Sequence, residues 1–468
     1  MNNKQSGTHT QANCRILSAI EQIVSVAPKG TALGLCDLGS ALVSGHVLVH
    51  RGGVMPGVAS FLHHHIEDEM ELAARSRRAW KALTYGSYNT NEMIDELKQI
   101  VEREGKWQPV RVGGYVVKSF DFTAFNRHRV KGLESKAYDG DAGRAVPAVP
   151  LGVITTVGEV EGQRVALLDS VVTTRLDANE LVKQKKALYK EVAKQLAKAE
   201  ELAGEKAISV ADAGFKLRDA ALAGIERIEI RLAKNCTFGQ TPGKIPERKG
   251  KRGRIPTRHQ AESVRPLERT HNGNLIPATP PDETVSFVTE DGKIVTVQIW
   301  NTIYFLERHL DDIECEKTKE RLRPLPIKVM AFDHPDYDHP LLIGTFVLSL
   351  TPPVAYKLYV SRWPVEGVPQ AAKFILSGGG GRHFVHHPTA MQRLPLLSFL
   401  FGSLLKYTAA TLPPFRTGFW DYAPKPTYGR LLRHLNKVAI PLSEQLSKKE
   451  SVTDHLPVGY AARRSVQG

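Results

Sequence analysis

The chain has 468 residues, long enough for two to four domains, with 42% hydrophobic and 24% charged residues. Lys and Arg outnumber Asp and Glu by 63 to 49, a net charge of +14 that favours a polyanionic partner, most simply nucleic acid. Cys14, Cys36, Cys236 and Cys315 form no CxxC pair, which argues against a zinc ribbon or disulfide framework. With no basic-then-apolar leader and no long apolar run, a cytoplasmic location is expected.

Residues 1–105 read as a helical N-terminal domain. A helix over 66–83 carries Arg75, Arg77, Arg78 and Lys81, either a DNA-binding face or a solvated charged one. A second helix begins near Thr90, with Met93, Ile94, Leu97 and Ile100 on its apolar side.

Over 106–238 the pattern changes to strands. Tyr115 to Asp121 is an apolar strand ending on an acid; 146–160 and 164–172 are two more, joined at Glu161-Gly162-Gln163. Asp177 and Glu180 form a capping box for a helix lined by Leu181, Leu188, Val192 and Leu196 and ended by Gly204. A short buried strand then runs to Asp212, followed by a short helix to Gly224 and a strand over 228–232. Three strands, helix, strand, helix, strand is the order of an RNase H-like mixed sheet with flanking helices, an α/β (α+β) arrangement.

Residues 239–350 read as a basic linker and a β-rich insertion. Between Lys244 and Arg258 lie Arg248, Lys249, Lys251, Arg252 and Arg254, a flexible cationic segment suited to DNA phosphates. A hairpin over 285–299 turns at Asp291-Gly292, and strand-like runs over 327–332 and 341–350 flank Asp333 to His339. That stretch is rich in metal-ligand residue types, but Pro335 and Pro340 make it a tight loop. Residues 351–440 return to helices as the second part of the core, and 441–468 form a loose tail.

Acids on neighbouring strand ends, joined by one from a later helix, can hold two divalent ions about 4 Å apart for phosphodiester chemistry. Asp121 and Asp212 occupy such places. Asp169 competes with Asp121, but only 43 residues separate it from Asp212, against 91 for Asp121, which leaves no room for a meander. The third acid is Glu366, in the run Tyr359-x2-Arg362-x3-Glu366-x6-Lys373. On one regular helix these four side chains fall within about 60° of arc. Pro364 and Pro369 interrupt that regularity, and Pro369 is expected to kink the helix.

The region around Glu366 resembles the Y-R-E-K signature of insertion-sequence DDE transposases, Phe120-Asp121-Phe122-Thr123 resembles their first-acid segment, and Asp212-Ala213-Gly214-Phe215 resembles their second. The resemblance spans about residues 106 to 435 and includes the large insertion before the Glu366 helix. It implies that Asp121, Asp212 and Glu366 bind two Mg2+ or Mn2+ ions, and that Tyr359, Arg362 and Lys373 contact the cleaved transposon end. It further implies a homodimer synapsed on DNA. In some relatives an insertion-domain tryptophan stacks on a flipped base; Trp300 is the counterpart by position, with a core tryptophan as the plainer alternative. A transposase-derived DNA-binding regulator and an RNase H-like nuclease without strand transfer remain as alternatives.

Overall fold

The structure is a computed structural model that describes residues 2–128, 130, 135–173, 181–202, 206–240, 263–305, 325–378, 383, 385–438 and 440–443. Asp177, Glu180, Gly204, Arg248, Lys249, Lys251, Arg252, Arg254 and the tail after 443 lie outside the described residues.

The chain is a mixed α/β protein. It opens with helices α1 (Asn2–Val24), α2 (Lys29–Val43), α3 (His46–Val49), α4 (Val54–Leu62), α5 (Glu69–Tyr85) and α6 (Thr90–Glu104). Local sequence sets the limits of α6. The Asn89 side chain accepts from the Asn91 backbone N–H at 3.0 Å, and Gly105 ends the helix at φ 63°. Met93, Ile94, Leu97, Ile100 and Val101 are its buried side.

The sheet then begins with β1 (Tyr115–Asn126), β2 (Arg144–Val160) and β3 (Gln163–Thr173), an antiparallel meander. Helix α7 (Leu181–Leu202) leads to β4 (Ala207–Ala211), and α8 (Leu217–Ala223) leads to β5 (Ile228–Arg231). β4 pairs parallel with β1, and β5 parallel with β4. The insertion adds β6 (Glu283–Val288), β7 (Ile294–Phe305), β8 (Leu325–Asp333) and β9 (Leu341–Thr345) as an antiparallel run. β9 hydrogen-bonds to β5, so the insertion continues the same sheet: β3-β2-β1-β4-β5-β9-β8-β7-β6.

Helices α9 (Pro352–Ser361), α10 (Gly367–Ser377), α11 (Pro388–Thr411) and α12 (Tyr428–Lys437) are the last elements among the described residues. One face of the sheet packs on α7 and α8 through Phe120, Ile154, Leu188, Val192, Leu196 and Ile230. On the other, α9 covers Val117, Val210 and Ile343, and a large helical core meets β2 and β3. That helical core joins α1, α2 and α4–α6 to α10–α12, so residues 1–105 share their interior with the C-terminal helices. A polar clamp reinforces the union: Arg15 Nε and Tyr407 Oη both donate to the Glu104 carboxylate, at 2.9 and 2.6 Å.

Helix α11 is the central rod of this core. By length and composition alone it could cross a membrane, although Gln392, Arg393 and Lys406 interrupt its apolar run, and 89% of its apolar window is buried inside the protein. A helix apolar all round needs cover on every side, and here protein supplies it.

Candidate active site

The first two acids owe their proximity to strand register. Parallel pairing of β1 with β4 ends at Phe120↔Ala211, so Asp121 and Asp212 are the next residues on adjacent strands. The expected strand end at Asp121 is not observed: β1 runs on to Asn126, because β2 keeps pairing with it through Asn126↔Ala148. After Asp212 the chain turns, the Phe215 N–H donating to the Asp212 carbonyl at 3.2 Å. Phe215 then packs edge-on against Phe120 with ring centres 4.7 Å apart, which anchors the turn from the α7 side.

Asp169 is excluded by geometry as well as by spacing. It is the extra residue of a bulge in β3, between the pairs Ile154↔Ser170 and Thr155↔Leu168. Its carboxylate accepts from Lys118 Nζ at 3.0 Å and Thr156 Oγ1 at 2.6 Å, and Lys118 and Phe120 share the face of β1 opposite to Asp121.

Glu366 arrives by a broken helix. α9 stops at Ser361, a 3-10 turn covers Trp363–Glu366, and α10 starts at Gly367. The single stripe through Tyr359, Arg362, Glu366 and Lys373 is therefore not formed. Nor does Pro369 kink a helix. It sits in the first turn of α10, where its missing N–H costs no internal hydrogen bond, and Pro364 is the second residue of the 3-10 turn.

The residues nevertheless converge. Tyr359 Oη donates to Asp212 Oδ1 at 3.5 Å, and Arg231 Nη1 approaches the same oxygen at 3.5 Å. Arg362 lies over the rings of Tyr359 and Trp363, 5.4 and 5.6 Å from their centres, and its Nη2 reaches Glu366 Oε1 at 3.4 Å. Tyr359 and Arg362 are 5% and 2% exposed, so in this structure both face the acids rather than solvent. Burial pushes the Asp121 carboxyl above its ordinary range; the Arg362 charge opposes the rise, and the charges of Glu366 and Asp212 add to it. Lys373 is half-buried, which lowers its pKa, while the charge of Asp121 works to raise it.

Among the described residues no three His, Cys, Asp or Glu side chains stand close enough to share one ion. The donor set is three carboxylates, hard oxygen ligands that suit Mg2+ or Mn2+. Besides burial, the charges of Glu366 and Asp212 raise the Asp121 pKa, a repulsion that a bound cation would relieve.

Trp300 is a core residue. It is 1% exposed, and its indole N–H donates to the carbonyls of Thr279 and Pro280, at 3.3 and 3.1 Å. That environment is the core alternative expected for this side chain, and it corrects its assignment to DNA contact by base stacking. Arg75 is likewise internal, paired with Asp37 through Nη2–Oδ1 at 2.6 Å, whereas Arg77 and Lys81 are exposed.

Two participants have no signature in the sequence. Arg231 reaches Asp212 from the last position of β5. Lys406 donates to the Pro364 carbonyl at 3.0 Å from α11, beneath the turn that carries Glu366. Both act over long sequence separations, so only the fold reveals them. No protein-family model matches the chain, and no curated protein matches it.

Proposed function

We propose that the chain is a DDE-type DNA transposase with an RNase H-like core, cleaving transposon ends and transferring the freed 3′-hydroxyl strand to target DNA. The observation that carries this reading is that Asp212, on the adjacent strand, and Glu366, on a later turn, are near enough for their charges to raise the Asp121 pKa. The strand order, with a meander followed by two parallel crossovers, supports the core assignment.

Asp121, Asp212 and Glu366 would hold two Mg2+ or Mn2+ ions, which when bound activate the attacking oxygen and stabilise the leaving oxygen. Tyr359 and Arg231 orient the Asp212 carboxylate, and Arg362 holds Glu366. Lys373 places a cation near Asp121, where a scissile phosphate needs charge compensation. The net charge of +14 supports DNA as the partner, and joining two ends calls for a homodimer in the synapse.

The test is incubation with Mg2+ and DNA carrying the inverted repeats that flank the chain's own coding sequence, beside Asp212→Asn. End cleavage and joining by the unmodified chain, lost in the variant, is the expected result. Cleavage without joining would make it a nuclease, and specific binding without cleavage a transposase-derived regulator.

A further inference from the structure

A loop between α11 and α12 holds three aromatic side chains out in solvent. Phe419, Trp420 and Tyr422 are 82%, 63% and 81% exposed, although large aromatic rings are the side chains that folding most favours burying. The Phe419 and Trp420 rings meet edge to face, 4.9 Å apart at 79°, so they present differently oriented planes.

The loop is built rather than loose. The Asp421 carboxylate accepts from the Thr417 backbone N–H and Thr417 Oγ1, both at 3.1 Å, and pairs with Arg430 Nη2 at 3.1 Å. The Asp421 N–H donates to the Gly418 carbonyl at 3.2 Å. Pro413, Pro414, Pro424 and Pro426 restrict the backbone on both sides, and Phe415 stacks on His434 at 4.3 Å to fix the entry. Ordering therefore costs little at the moment of binding.

Charge identifies the partner. From Leu412 to Lys437 the chain carries Arg416, Lys425, Arg430, Arg433 and Lys437, with Asp421 as the sole acid. Arg416, Lys425 and Arg433 are exposed. Aromatic planes interleaved with cations match a nucleic acid, whose bases stack while its phosphates meet the charges. A lipid surface draws on aliphatic side chains too, and beside these rings the nearest exposed large aliphatic residue in sequence is Val438, past the far end of α12.

We infer that Phe419, Trp420 and Tyr422 form a preorganised platform that stacks on unpaired bases of DNA, with Arg416, Lys425 and Arg433 on the adjoining phosphates. DNA rather than RNA as the ligand rests on the proposed function; the stacking platform itself does not.

The experiment uses the full chain with a labelled single-stranded oligonucleotide and a duplex of the same sequence, read by fluorescence anisotropy. The triple variant Phe419→Ala/Trp420→Ala/Tyr422→Ala is expected to bind the single strand at least tenfold more weakly, since each stacked base contributes about 1–3 kcal/mol. Its thermal midpoint and duplex affinity stay close to those of the unmodified chain. Asp421→Ala, which keeps the rings but unlocks the loop, weakens single-strand binding less, and Trp420→Phe preserves most of it. Unchanged single-strand affinity in the triple variant overturns the inference, even if the chain cleaves DNA. Loss of binding to phosphatidylserine vesicles in place of DNA overturns it in favour of a membrane surface. Single-strand binding through the loop by a chain that never cleaves supports the inference while the transposase reading fails.

Discussion

Asp121 and Asp212 stand side by side because the last parallel pair of β1 and β4, Phe120↔Ala211, leaves an acid as the next residue on each strand. Burial and the neighbouring acids hold Asp121 protonated to a higher pH than its ordinary 3.8. A raised folded value means that the protonated acid's stabilising contribution is present below about pH 3.8 and is lost as pH rises through the raised value. Asp121→Asn is expected to remove this slope and to raise the thermal midpoint at neutral pH in EDTA. Mg2+ stabilises the unmodified chain by mass action and loses that effect in the variant. Melting curves with EDTA and with Mg2+ check both. A variant that melts lower in EDTA and keeps its Mg2+ response would remove Asp121 from the cluster.

Arg362 holds the broken helix together from inside. Its guanidinium stacks on Tyr359 and Trp363 and reaches Glu366, and its backbone carbonyl lies 3.5 Å from Ser119 Oγ. Arg362→Ala is expected to cost about 2 kcal/mol through lost packing and cation–π contact. Arg362→Lys should recover little, since an ammonium cannot stack on two rings and reach Glu366 at once. Urea titration reads the stability, and equal midpoints for Lys and Arg would contradict this role.

Much of this was legible in the sequence because it is local. Hydrophobic alternation and turn residues located β1 to β5 and the β6–β7 hairpin, and acids at comparable places on β1 and β4 made Asp121 and Asp212 candidates. The end of β1 was not legible, because β2 decides how far it extends. Pro364 and Pro369 signalled irregularity, but whether Pro369 kinks a helix or starts one depends on where α9 stops. Trp300 illustrates a different limit, since position in an insertion says nothing about which side of a strand is covered.

Trp300→Ala is expected to destabilise the fold by about 3–5 kcal/mol, the usual cost of emptying a buried tryptophan site. Trp300→Phe loses the N–H bonds to Thr279 and Pro280 but keeps most of the volume, and should melt between the two. A stable alanine variant with a selective defect on DNA would restore the base-stacking role.

Glu229 is the least comfortable residue in the sheet. It is fully buried on β5 between Val210 of β4 and Thr345 of β9, and neither carboxyl oxygen has a hydrogen-bond partner. Desolvation holds its pKa well above 4.5. The stability it permits is therefore full below about pH 4.5 and declines as pH rises towards the folded value. Glu229→Met is expected to stabilise by about 1–3 kcal/mol at neutral pH, the cost of an unpartnered buried polar group. Glu229→Gln keeps the polarity but loses the pH slope, so stability measured from pH 5 to 8 separates the two contributions. A lower midpoint for Glu229→Met at neutral pH would show that the carboxyl has a partner in solution.

Lys406 sits beneath the Glu366 turn, and the turn makes room for it. A Cβ on Gly367 would come within 2.5 Å of Nζ, so glycine there admits the ammonium that donates to the Pro364 carbonyl. Burial pushes the Lys406 pKa down to about 8 from 10.5. A depressed folded value means that its favourable contribution is present above about pH 10.5 and is lost as pH falls through about 8. Lys406→Met is accordingly expected to melt higher than the unmodified chain at pH 7, with the gap closing as pH rises from 8 towards 10. Gly367→Ala, whose Cβ crowds Nζ, should disturb the same turn without the pH signature of Lys406→Met. In a DNA cleavage assay both variants should lower kcat and leave KM nearly unchanged, because the turn positions Glu366 rather than binding DNA. A fall in affinity with unchanged kcat would assign Lys406 to DNA contact instead.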